Sequence, residues 1–186
     1  MPTVLLTGFE PFDGAASNSS WEAVRRVTGV EGLVTAELPV EFGRASEVLA
    51  GLIAEHSPDL VIATGLADGR TAITPERVAI NLEDARIPDN AGAQPRERTI
   101  DPDGPAAYLS GLPVRAIADA ITAAGIPAQV SLSAGAFVCN SVMYRLLGSV
   151  PEGVVAGFIH VPSADDLSVD EIATGLAIAV RVSLGA

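Results

Sequence analysis

The chain has 186 residues, enough for one domain with a sizeable core, and its 48% hydrophobic and 18% charged composition excludes a disordered chain. Its net charge of −12, with all 11 cationic side chains arginine, excludes a phosphate-binding face and so argues against nucleic acid or an anionic membrane as partner. One cysteine and two histidines exclude an internal disulfide and make a zinc site improbable.

The opening MPTVLLTGFEPF has no basic region and only a short apolar run, so neither a signal peptide nor a membrane span is expected. A lone thiol suits a reducing compartment, and the expected location is the cytoplasm. Residues 3–7 read as a buried strand and 20–27 as a helix with Ser or Asn before it as cap. A strand follows at 34–40. Apolar residues at helical spacing mark 44–56, which stops before Pro58. Residues 60–64 are an all-apolar strand. Residues 73–82 alternate and carry β-branched side chains, which favours a strand. Residues 88–107 lack an apolar period and read as a long loop, a length that tends to be functional. Helices are expected at 114–124, 138–147 and 169–184, and strands at 128–132 and 154–160.

Strands alternating with helices predict a single three-layer α/β/α sandwich over residues 1–186, its central sheet largely parallel with edge strands of undecided direction. In such sheets ligands bind beyond the carboxyl ends of the strands. That rule selects GFEPFDG, GLADGR, SAGAFVCN and the end of the strand at His160.

Four kinds of residue there can carry chemistry. Cys139 falls in the first turn of a predicted helix, where free N–H groups and the dipole favour thiolate and should draw its pKa toward neutrality. It is otherwise a buried structural cysteine. His160 ends an apolar strand, as a general base or as a core histidine bonded to a carbonyl. His56, at a helix end, is read as a capping or surface residue. Glu76 lies between apolar residues and needs a partner, either an imidazole from another segment or a salt bridge to Arg70 or Arg86. Phe9 and Phe12 share one Pro/Gly turn, as walls for a flat ligand or as anchors of the loop. Ser133 and Ser141 lie outside any Gly-x-Ser-x-Gly elbow, which disfavours a serine hydrolase. A non-catalytic small-molecule binder on the same fold is the rival reading.

The segments TGFEPFDG, NSSWEAV, GLADGR, ITPERVAINLEDARIPDN, SAGAFVCN and FIHVP together resemble the pyrrolidone carboxyl peptidases, or type I pyroglutamyl peptidases, in family order across nearly the whole chain. The resemblance implies a cysteine exopeptidase that removes an N-terminal pyroglutamyl residue through a thioester, with no metal or cofactor, commonly as a homotetramer or dimer. It places the nucleophile on Cys139, the base on His160 and the orienting acid on Glu76. It places the substrate pocket on Phe9, Phe12, Asn18, Ile87, Phe137 and Val138, an oxyanion arginine on Arg86 and a supporting acid on Asp89. Two positions depart from the family. Ser19 stands where many members have proline, which is expected to loosen that turn. Leu66 stands where some have glutamine, which is expected to remove a polar contact to substrate.

Overall fold

A computed structural model describes residues 1–185. Its main sheet contains β1 (Val4–Phe9), β2 (Leu33–Leu38), β3 (Leu60–Leu66), β4 (Thr74–Pro75) and β7 (Val155–Val161). The strand order is β2-β1-β3-β7-β4. All pairs are parallel except β4 with β7. A separate antiparallel hairpin joins β5 (Val78–Ile80) to β6 (Ala107–Leu109). The helices are α1 (Ser19–Val24), α2 (Arg44–His56), α3 (Val114–Ala123), α4 (Val138–Ser149) and α5 (Val169–Ser183).

Side chains alternate across a strand, and here the alternation sorts the core into two halves. Val4, Leu6, Leu60, Ile62, Ile159 and Val161 point to the side of α3 and α5. Leu5, Phe9, Val61, Ala63, Ala156 and Phe158 point to the side of α2 and α4. By the same period Gly65 and His160, paired in register across β3 and β7, face α4. Along β3 the α4-facing residues shrink from Val61 to Ala63 to Gly65, which opens room at the carboxyl end of the sheet.

Helix ends follow local chemistry. Asn18 caps α1 by accepting from Ser20 N at 3.1 Å. A Ser168–Glu171 capping box starts α5. The helix expected at 44–56 has those bounds, ending with Ser57 in the left-handed conformation before Pro58.

Four expectations require correction. Residues 128–132 do not form a continuous strand. They run beside β4 through isolated bridges at Ala128 and Ser131. Their partner contains Pro75, which has no N–H to give the ladder. The apolar pattern at 73–82 is divided between β4 and β5, with the chain passing from one sheet to the other at Glu76 and Arg77. The loop of 88–107 ends in strand, since Ala107 opens β6. The turn at Ser19 is not loose either: Ser19 is buried and donates to the carbonyl of Pro162 at 2.7 Å, tying α1 to the segment after β7.

Candidate active site

Cys139 is the second residue of α4, whose N-cap, Phe137, offers no side-chain acceptor. The first-turn N–H groups therefore have no side-chain cap. The helix start is held by the residues that follow the thiol. Asn140, fully buried, accepts from Ile80 N at 3.0 Å and donates to the carbonyls of Ile80 and Leu82 at 2.9 Å each. Ser141 Oγ donates to Glu83 Oε1 at 2.6 Å, and Arg98 Nε donates to Glu83 Oε2 at 2.7 Å. Ser141 is thus committed to Glu83 and unavailable as a nucleophile.

Opposite the thiol lies the register pair of Gly65 and His160. A methyl group built on Gly65 would sit 2.7 Å from Cys139 Sγ and 3.0 Å from the Phe158 ring. The sulfur therefore rests directly over bare backbone at the strand residue beside His160. His160 packs its ring against Phe158, with centroids 4.9 Å apart.

Glu76 completes the set. Thr74 pairs with His160 in the antiparallel ladder, so Glu76, two residues on, is its diagonal neighbour on the same face. The carboxylate is wholly buried, and His160 Nδ1 lies 2.7 Å from Oε1. An ionised carboxylate only accepts, so Nδ1 carries the proton and Nε2 remains the basic nitrogen. Arg70 Nη1 donates to the same Oε1 at 2.6 Å. The two partners considered from sequence, imidazole and Arg70, are both present.

The ionisation of the three groups is set by burial and by each other. Burial opposes the charged form of Glu76, but the bond and charge of His160, with smaller contributions from Ser131 and Arg70, outweigh it and hold the carboxyl below its usual value. Burial pushes His160 down; Glu76 pulls it back and Arg70 pushes it further down, so the ring rests neutral. The thiol departs from expectation. Although Cys139 keeps partial exposure, burial of its sulfur, reinforced by the negative charge of Glu76, pushes it up to about 12. The helix terminus does not prevail, because desolvation penalises a thiolate more than one turn of dipole rewards it. The resting pair is neutral thiol and neutral imidazole.

A small cavity adjoins the sulfur, lined by Phe9, Phe12, Asn18, Val40, Leu66, Phe137, Val138 and Cys139. Phe12 and Phe137 have centroids 6.2 Å apart, and Phe42 stands edge-on to Phe137 at 5.3 Å. Asn18 lines the cavity while its amide is spent on capping and on the carbonyl of Glu10, at 3.0 Å. Leu66 presents hydrocarbon where a polar contact was expected to be lost. Ile87 and Arg86 are not among the lining residues; Ile87 is half-buried and Arg86 exposed. Asp89 accepts from Phe42 N at 2.8 Å and from Ala91 and Ala93 N at 3.0 and 2.8 Å, fastening the 89–93 turn to the pocket segment. Among the described residues no group of three or more His, Cys, Asp or Glu could hold a metal ion.

Residue types alone single out Cys139, His160 and Glu76, but not Gly65, Phe42 or Asn140. Gly65 reads from sequence as the turn that closes a strand; its use as bare backbone under a sulfur depends on the packing of α4. Gly65→Ala is expected to displace the thiol or the Phe158 ring and to cost about 1–3 kcal/mol of stability. Urea unfolding, together with a slowed rate of Cys139 alkylation, measures both effects.

A thiol over the strand residue paired with a histidine, that histidine's Nδ1 held by a buried carboxylate, at the carboxyl edge of a mostly parallel α/β sheet, is the kind of arrangement found in cysteine hydrolases. The comparisons with known proteins agree in kind. The family model described as pyroglutamyl peptidase matches residues 2–184. A pyrrolidone-carboxylate peptidase of Clavibacter michiganensis is 44% identical over 99% of this chain and 93% of its own. One of Pseudomonas fluorescens is 52% identical over 87% of this chain and 79% of its own. A crystal structure of Bacillus amyloliquefaciens pyroglutamyl peptidase I superposes with a TM-score of 0.96 at 42% identity, covering 100% of this chain and 98% of that one. The chain belongs to the pyroglutamyl peptidase family.

Proposed function

We propose that this chain, acting as one catalytic domain over residues 1–186, hydrolyses the bond after an N-terminal pyroglutamyl residue, with Cys139 as nucleophile, His160 as general base and acid, and Glu76 holding the imidazole. The observation that carries the reading is the buried Glu76–His160 pair set beside Gly65, over which the chain's one thiol lies, next to an aromatic-lined cavity.

Pyroglutamate is a small lactam without a free amine. Its site has no use for an unpaired carboxylate, and the nearest one on the pocket loop is occupied: Glu10 Oε1 accepts from Val40 N at 3.0 Å and Asn90 Nδ2 at 2.8 Å. Phe9, Phe12, Phe137 and Val138 supply apolar walls, with Asn18 at the rim and Ile87 on the neighbouring segment. His160 Nε2 takes the thiol proton as sulfur attacks the carbonyl carbon. The N–H groups at the start of α4, including that of Cys139, receive the oxyanion, with Arg86 as an added cation; one such donor is typically worth about 2.7–4 kcal/mol. The imidazolium then gives its proton to the departing amine, leaving a thioester. Water, deprotonated by His160, attacks the thioester and releases free pyroglutamate and the thiol. Asp89 supports the turn that carries Asn90 to the pocket. The reading extends to a cytoplasmic enzyme without metal or cofactor that assembles as a dimer or tetramer. No helix among the described residues is long and apolar enough to cross a membrane.

The test is release of a chromophoric amine from pyroglutamyl and prolyl amides. A prolyl nitrogen is charged, and nothing in the cavity pairs it, so the ratio of kcat/KM values is expected to exceed roughly 10² in favour of pyroglutamyl. A chelator should leave the rate unchanged, and a reducing agent should be needed for full activity. A ratio near one, or activity lost to chelator and restored by metal, overturns the reading.

A further inference from the structure

Arg70 has entered so far only as a partner of Glu76, yet its guanidinium touches three segments of the site. It follows Gly69, whose positive φ of 81° lets the chain turn back after β3. Nη1 donates to Thr74 Oγ1 and to Glu76 Oε1, both at 2.6 Å, and Nη2 donates to the carbonyl of Ser133 at 3.0 Å. Thr74 is the ladder partner of His160, and Ser133 belongs to the segment that leads into α4 and Cys139. One side chain thus connects the strand of the acid, the neighbour of the base and the approach to the nucleophile.

The loading of the carboxylate is uneven. His160 and Arg70 both bind Oε1, while Oε2 is buried with no hydrogen-bond partner. Left to itself, a carboxylate with a bare second oxygen can turn and offer His160 either atom. A guanidinium anchored at Thr74 and Ser133 fixes the plane of the carboxyl, and through it the direction of the Nδ1–H bond.

We propose that Arg70 is a positioning residue for the catalytic imidazole: it locks Glu76 so that Oε1 alone receives His160. This rests on the reading of Cys139, His160 and Glu76 given above. The charged groups facing the imidazole are Glu76, just after β4, and Arg70 from the turn after β3; Cys139, at the start of α4, lies over Gly65, the register partner of His160. Removing the Arg70 cation removes repulsion from the imidazolium, while Glu76, still paired with His160, stays ionised. The sign follows: His160 should protonate at higher pH without Arg70.

The chain has two histidines, so a His56→Gln spectrum assigns the imidazole resonances, and His160 can be titrated by proton NMR without any turnover. In Arg70→Gln the His160 midpoint should rise by about one pH unit, as expected for a neighbouring charge removed. The acid limb of kcat/KM should rise with it, while kcat falls by about 10²-fold through misplacement and KM holds. Arg70→Lys should restore the midpoint but not kcat, because an ammonium cannot span Glu76, Thr74 and Ser133 in one plane. An unchanged His160 midpoint in Arg70→Gln overturns the proposal. Should that variant not fold, Arg70→Lys decides: full kcat overturns the proposal, and a wild-type midpoint with reduced kcat supports it. A shifted midpoint in a protein that cleaves no pyroglutamyl amide would overturn the functional reading, and with it the catalytic role of Arg70, while leaving its coupling to His160 in place.

Discussion

Cys139→Ala is expected to abolish turnover of a pyroglutamyl amide, a fall of about 10⁶-fold in kcat when a nucleophile of this type is removed. No second group can replace it. The chain holds one thiol, and Ser141 gives its hydroxyl to the buried Glu83. The variant should fold, because the change removes one atom from a partly exposed side chain; its stability should stay within about 1 kcal/mol of wild type. Complete alkylation by iodoacetamide should match the substitution. The rate of that alkylation adds a second expectation. With the thiol pushed up to about 12, the thiolate is scarce at neutral pH, so alkylation should quicken as pH rises well past neutrality. Turnover should not follow the same curve, since His160 removes the proton during attack rather than before it. Mass spectrometry of the labelled protein and the residual rate provide the check. Appreciable turnover after stoichiometric labelling of Cys139 would remove it from the mechanism.

The contrast between that thiol and its sequence context shows where reading a chain succeeds and where it fails. Helix α2 is legible at both ends because its signals are local, with Gly43 before it and Ser57-Pro58 after it. The buried strands β1, β3 and β7 are legible because both faces are covered, which leaves uninterrupted apolar runs. The segment at 128–132 misleads, since its apolar alternation is real but its partner strand is two residues long and contains Pro75. At the site, Cys139, His160 and Glu76 stand out by residue type and by family motif. Their ionisation does not, because it depends on how deeply three segments bury one another. A dipole rule applied to Cys139 yields the wrong sign, since the helix start lies under the sheet edge rather than in solvent. For Glu76, sequence offers imidazole or arginine as rival partners. Only the turn geometry at Gly69 and Arg70 shows that one oxygen takes both.

Glu76→Gln is expected to lower kcat by about 10⁴-fold, the scale seen when the acid of a triad is replaced by its amide. The change is isosteric, so the argument rests on charge and on proton count. In wild type an ionised Oε1 receives His160 Nδ1 at 2.7 Å and Arg70 Nη1 at 2.6 Å. A glutamine presents one oxygen and one NH₂. If the oxygen stays with Arg70, the NH₂ can face Nδ1, which then must accept; the proton moves to Nε2, and the ring no longer has a basic nitrogen toward the thiol. If the oxygen stays with His160, the tautomer survives but the imidazolium formed during attack loses its counter-charge, while Arg70 remains beside it as an unopposed cation. Both arrangements damage the chemical step and neither touches the cavity, which is lined from other segments. KM should therefore stay near wild type while kcat falls. Direct alkylation of Cys139 at high pH should be no slower than in wild type, because burial and the negative charge of Glu76 are what raise the thiol, and the second of these is gone. The measurements are kcat and KM for a pyroglutamyl amide across pH, alongside the alkylation rate. Glu76→Gln with wild-type kcat would return Glu76 to a structural ion pair with Arg70 and leave His160 to work unassisted.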